Sequence, residues 1–138
     1  MASSAARALL TTMLALSVLP ALAASPAEIR AGLEAAVRQG DSRFAGFSAE
    51  RGRAFFTSRH GGDWSCASCH TDNPLAPGRH VRTAKSITPL APGANPQRFT
   101  DAAKAEKWFK RNCNDVLNRA CTAEEKGDLL EYLISLGK

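Results

Sequence analysis

Apolar residues recur at helical spacing in four stretches, and each stretch is preceded by a residue suited to start a helix. Ser25-Pro26-Ala27-Glu28 is a capping box with proline at the first helical position, which predicts a helix as far as Gly40. Ile29, Leu33, Ala36 and Val37 form its expected buried stripe. A second helix is expected from Ser48, turning Phe55 and Phe56 inward and stopping before Gly61-Gly62. Thr100 or Asp101 caps a third that should reach about Asn112, with Ala105, Trp108, Phe109 and Asn112 at i, i+3, i+4 and i+7 on one face. Thr122-Ala123-Glu124-Glu125 is a further capping box, opening a terminal helix with Leu129, Leu130, Leu133, Ile134 and Leu136. From Thr71 to Phe99 five prolines and two glycines exclude a long regular element, so an extended loop is expected there. Strand signals are nearly absent, and the spacing predicts an all-α chain of about four helices.

Residues 1–23 follow a different pattern. Arg7 is their only charge, an apolar core runs from Ala8 to Leu19, and Ala21-Leu22-Ala23 resembles an A-x-A cleavage site. That is the layout of an export signal peptide, too short to span a bilayer comfortably; an uncleaved anchor is the alternative. Processing would leave residues 24–138, enough for one small domain and not two, with no transmembrane span. Loss of Arg7 would lower the net charge from +5 to +4.

Cys66-Ala67-Ser68-Cys69-His70 supplies the chemistry, because C-x-x-C-H is the sequence by which a chain attaches haem c. Two thiols three residues apart on one turn can each add to a haem vinyl group, and the adjacent histidine reaches the iron. Cys66 and Cys69 are therefore expected to anchor one covalent haem, with His70 as proximal ligand. Half of a zinc site and a thioredoxin-like redox pair are the competing readings. The first lacks a second ligand pair at suitable spacing, and the second lacks a βαβ pattern. Export agrees with the haem reading, since haem c is attached outside the bacterial cytoplasm, and predicts a periplasmic location. A chain this small builds only a modest core, so the porphyrin should supply much of the packing surface and the apo form should fold poorly. The proline-rich loop is expected to cover a haem edge and offer a carbonyl to the outer nitrogen of His70.

The sixth ligand is open on the residues alone. Both methionines, Met1 and Met13, lie in the leader, so the expected mature chain cannot use His/Met ligation. His60 reads either as a ligand or as a helix-end residue that satisfies terminal carbonyls. His80, in the loop, reads as a ligand or as a surface histidine. Asn112 shares the apolar face of the third helix, where a buried amide needs a hydrogen bond, water or a metal; bonding to backbone at a helix end is its other reading. Cys113 and Cys121 bracket the link between the last two helices, and in an oxidising compartment a disulfide is the simplest account of them, with free thiols as the alternative. Lys104, Lys107, Lys110 and Arg111 concentrate positive charge, which suits docking of an acidic redox partner or simply a solvated helix face. They show no recognition motif for nucleic acid.

With these stretches in view, the chain resembles the SHP-type haem proteins, small exported cytochromes c with an asparagine axial ligand. The matching segments, besides the haem motif, are Ile87-Thr88-Pro89-Leu90-Ala91-Pro92, Arg98-Phe99-Thr100-Asp101, Glu106-Lys107-Trp108 and Arg111-Asn112-Cys113-Asn114, extended by Cys121-Thr122 and Glu125-Lys126. The resemblance implies a small class I-like cytochrome c fold, Asn112 as distal ligand in the ferric state, and a Cys113–Cys121 disulfide. It also implies release of that ligand on reduction, opening the iron to oxygen, nitric oxide or carbon monoxide, and a dihaem cytochrome c as electron donor. The related cytochrome c double-prime has histidine at the corresponding place. This chain departs from it with Asn112, while His80 keeps a bis-histidine electron carrier as an alternative. An enzyme that turns over nitric oxide or oxygen is another alternative, for which the sequence offers no assured general acid or base near the iron.

Overall fold

A computed structural model describes residues 23–137. The expected signal peptide therefore lies outside the described residues, apart from Ala23. The elements are α1 (Pro26–Gly40), α2 (Ala49–Thr57), α3 (Cys66–His70), β1 (Gly78–Arg79), β2 (Ser86–Ile87), α4 (Ala102–Leu117) and α5 (Ala123–Ser135). No helix among the described residues is long and apolar enough to cross a membrane.

The four longer helices begin where their caps stand. The side chains of Ser25, Ser48, Asp101 and Thr122 each accept the backbone N–H three residues on, satisfying a donor that has no partner inside the helix. Two expectations need correction. The third expected helix, α4, does not stop near Asn112 but runs to Leu117, where Asn118 closes it at φ 56°. No proline or glycine interrupts it earlier, and asparagine tolerates the left-handed cap. The proline-rich loop is also not wholly irregular, because Gly78 pairs with Ile87 and Arg79 with Ser86 in an antiparallel ribbon. Strands of two residues are too short to show an alternating pattern.

α5 is the centre of the packing: Leu129, Leu130, Tyr132 and Leu133 are buried, and both α1 and α2 lie on it. α1 is peripheral, with Ile29, Leu33 and Val37 half-buried and Ala36 exposed. α2 drives Phe56 fully into the core. It approaches α5 so closely that a Cβ added to Gly52 would stand 1.9 Å from the Asp128 carbonyl oxygen, a position only glycine can fill. At the same crossing the buried Asp128 carboxylate accepts the Ser48 N–H, the Arg51 Nε–H and an Arg51 Nη2–H, each at 2.7 Å. A buried charge is tolerated when it is paired and bonded in this way. The core continues from Phe56 and Tyr132 through Phe109 to the bonded pair Cys113–Cys121, whose Cα atoms are 5.6 Å apart. Cys66 and Ala67 of α3, and Leu90 and Phe99 of the long loop, pack against this cluster.

Candidate functional site

The C-x-x-C-H segment is itself a turn of helix, and its own neighbours start it. Ser65 caps α3 by accepting the Ser68 N–H, while Ser68 Oγ accepts the Ser65 N–H at 2.9 Å. This reciprocal pair makes five residues helical without a longer element around them. At the other end Thr71 takes φ 60° and ψ 168°, a region nearly reserved for glycine. Its hydroxyl donates to the Asn73 carbonyl at 2.9 Å and accepts the Asn73 N–H, so the chain turns sharply away just after His70.

β1 closes the back of α3. A Cβ on Gly78 would fall 2.1 Å from the Cys69 carbonyl oxygen and 3.0 Å from the His70 Cα, so the ribbon lies directly against the motif. On another side the Phe56 ring packs on the His70 ring, with centroids 6.5 Å apart. Burial pushes the His70 imidazole down to about 4, and the charge of Arg98 pushes it the same way. A neutral imidazole is the form that binds a metal. Burial pushes the Cys66 thiol up to about 11, with Cys69 adding to the rise. A redox C-x-x-C needs a depressed thiol instead, so this environment opposes the thioredoxin-like reading. Among the described residues no three His, Cys, Asp or Glu side chains converge as a metal-ion site, which weakens the zinc reading. Two thiols on one turn beside a neutral histidine fit covalently attached haem, with Cys66, Cys69 and His70 as the residues that would hold it.

His60 and His80 are both engaged elsewhere. His60 Nε2 lies 2.8 Å from the Phe55 carbonyl in the last turn of α2, so its ring donates there, as a helix-end histidine would. His80 begins the ribbon turn, and its Nδ1 accepts the N–H groups of Arg82 and Thr83, both at 3.3 Å. The Arg82 guanidinium in that turn stacks over Trp64, 4.3 Å from the ring centroid. No carbonyl bonds the His70 ring among the described residues; what the loop brings to that region is the ribbon and Arg98.

Asn112 lies within α4 and not at its end, so the helix-end reading falls with the corrected boundary. The expected face is turned: the buried line of α4 is Ala105, Phe109 and Cys113, and Trp108 and Asn112 are exposed along its edge, so Asn112 is not the buried amide that the spacing predicts. The Cys113–Cys121 bridge draws the line toward α5. Arg111 stacks on Trp108 at 5.4 Å, and the exposed Asn112 amide bonds to no described residue. Thus Cys66, Cys69 and His70 share one turn, Asn112 stands on a different helix whose buried line packs on the same core, and His60 and His80 bond to backbone groups of α2 and the ribbon turn. Sequence reasoning passed over Thr71, Gly78 and Arg98 as site residues. Gly78 had a signal, a glycine in a loop just after the motif.

Comparison with known proteins agrees with this geometry. A family described as a domain of unknown function, DUF1924, matches residues 42–133. The cytochrome c-type protein SHP of Cereibacter sphaeroides is 49% identical over 120 residues, 83% of this chain and 88% of that protein. Cytochrome c'' of Methylophilus methylotrophus is 42% identical over 88 residues, 61% of each chain. The structure of oxidised SHP, an oxygen-binding cytochrome c, matches with TM-score 0.71 at 46% identity, over 82% of this chain and 98% of that one. Oxidised cytochrome c'' matches with the same TM-score, 0.71, at 33% identity. The expected all-α cytochrome fold is therefore the observed one. Identity at this level across nearly the whole length of a relative with the same fold leads to one conclusion: the chain belongs to the SHP family of c-type cytochromes.

Proposed function

We propose that the chain is an exported, periplasmic mono-haem cytochrome c that passes electrons and, once reduced, binds oxygen, nitric oxide or carbon monoxide. Bound haem c supplies an iron that exchanges one electron and, in the ferrous state with a free position, holds a diatomic ligand. Cys66 and Cys69 would hold it through thioethers, and His70 would bind the iron as a neutral imidazole. Asn112 would be the second protein ligand in the ferric state. An amide is a hard, neutral donor that prefers the harder ferric ion, so Asn112 loses affinity and leaves on reduction.

One observation carries this reading. His60 and His80 each use a ring nitrogen on backbone groups, whereas the Asn112 amide, exposed on α4 next to the bridged Cys113, is tied to no described residue and is free to reach a ligand. The bis-histidine carrier would require His80 to give up both of its turn hydrogen bonds. Carbon monoxide added to the reduced holoprotein tests the reading, and a rapid Soret change is expected. No change would mean a permanently six-coordinate carrier. Asn112→Ala should move the ferric spectrum toward a high-spin or water-ligated form, and an unaltered spectrum refutes Asn112 ligation.

The electron donor is an acidic redox protein, a dihaem cytochrome c by the family resemblance, met by the outer face of α4. Lys104, Lys107, Lys110 and Arg111 are exposed there, and the nearby Glu106 is already paired with Lys126 at 2.7 Å. Complementary charge chiefly speeds encounter. Lys107→Glu should slow reduction by the donor at low salt and leave the rate at high salt unchanged.

A further inference from the structure

Arg98 is a half-buried guanidinium with no acidic partner among the described residues. Its Nε donates to the Pro89 carbonyl at 3.0 Å, and its Nη2 donates to the Thr88 carbonyl at 2.9 Å and hydroxyl at 3.1 Å. Nη1 donates to no protein acceptor among the described residues. These bonds fix where the group sits. Thr88-Pro89 follows Ile87, which pairs with Gly78 on the back of α3, and precedes Leu90 and Ala91, whose N–H groups both donate to the Pro74 carbonyl at 3.0 Å. The guanidinium is thereby held beside the ribbon that backs α3, between Leu90 and Phe99, which pack on the same core as Cys66 and Ala67. The backbone next to it is also constrained, since Phe99 adopts φ 57°, unfavourable for a bulky residue.

Neutral carbonyls bond a guanidinium but do not cancel its charge, and a partly buried cation without a counter-ion is unfavourable. Nη1 keeps its N–H groups for a charge-assisted hydrogen bond to a carboxylate. No Asp or Glu among the described residues fills that role, and the haem reading, on which this step rests, brings two carboxylates of its own. We propose that Arg98 binds a haem propionate through the N–H groups that the loop leaves free. Its charge beside the metal disfavours the more positive ferric state and so raises the reduction potential.

Resonance Raman spectra and potentiometric titration of the holoprotein test this in wild type, Arg98→Gln, Arg98→Lys and Asn95→Ala. Asn95 bonds the same loop, through the Pro89 carbonyl and the Thr88 hydroxyl, without carrying charge. Arg98→Gln should shift the propionate bending band and lower the potential. Arg98→Lys should shift the band and retain most of the potential, because the charge stays while the guanidinium that the loop carbonyls hold in place is lost. Asn95→Ala should loosen the loop and move neither. A propionate band identical in wild type and the Arg98 variants overturns the proposal. Equal shifts in Asn95→Ala overturn it as well, leaving Arg98 as a loop fastener. A wild-type potential that responds to inorganic phosphate, with the response lost in Arg98→Gln, would assign the site to a solution anion and reject the propionate. If Arg98→Gln yields no holoprotein, the lysine variant carries the band measurement. Spin-state bands in the same spectra report the axial ligands, so failure of the Asn112 reading is seen separately.

Discussion

Gly78→Ala tests whether the ribbon holds the haem motif in place. The added Cβ would stand 2.1 Å from the Cys69 carbonyl oxygen, 3.1 Å from its carbon and 3.0 Å from the His70 Cα. Carbon and oxygen settle at about 3.3 Å, so the ribbon and α3 must part by roughly 1.2 Å. All three neighbours are backbone atoms and cannot swing aside as a side-chain end would. Overpacking of this kind costs about 1–3 kcal/mol. Weakening the short ribbon adds about 1 kcal/mol, for a total of about 2–4 kcal/mol. Gly32→Ala is the control, because that glycine is exposed on α1 with nothing within 4 Å of an added Cβ. There the same change should stabilise by about 0.5–1 kcal/mol, since alanine is the better helix former. Urea unfolding of the holoprotein, followed at the Soret band and by far-UV circular dichroism, gives both values. A Gly78→Ala protein within about 0.5 kcal/mol of wild type, with an unaltered Soret band, would refute the packing of β1 on α3.

Serine at both Cys113 and Cys121 should remove about 2.5 kcal/mol of stability yet leave haem attachment intact. Colourless protein from that variant would reverse the assignment of the two cysteine pairs. Asp128→Asn places a donor against an Arg51 N–H and breaks a charged hydrogen bond, costing about 2 kcal/mol after allowance for the half-exposed Arg51. An unchanged thermal midpoint would contradict that. Arg119, followed by Thr122, bonds to the Glu125 carboxylate and holds it below the ordinary carboxylate range. A depressed folded value means that the stabilisation is complete above the unfolded pKa of about 4.3 and is lost as pH falls through the folded value. Stability of Glu125→Gln should therefore fall less steeply on acidification below about pH 5 than that of wild type; equal slopes would reject the assignment.

Much of this protein is legible in the order of its residues, because the physics involved is local. A cap and the first turn that it satisfies are three residues apart, so Ser25, Ser48, Asp101 and Thr122 announce their helices. The haem motif is legible for the same reason: two thiols and a histidine on one turn need no distant residue to define their chemistry. Spacing alone ends α4 too early, near Asn112, because a helix end depends on the first residue able to take the closing conformation, and Asn118 is several positions further on. Tertiary structure decided what depends on distant neighbours. His80 could be read as a ligand until the ribbon turn placed two N–H groups on its Nδ1. Asp128 looks like a surface acid of the last helix until folding sets it against Ser48 and Arg51, 80 and 77 positions away. Gly52 and Gly78 look like breaks in a pattern until a backbone from elsewhere fills the space that a Cβ would take. Periodicity and spacing record which way a side chain faces, whereas close approach, burial and charge arise only when separate segments share the same volume.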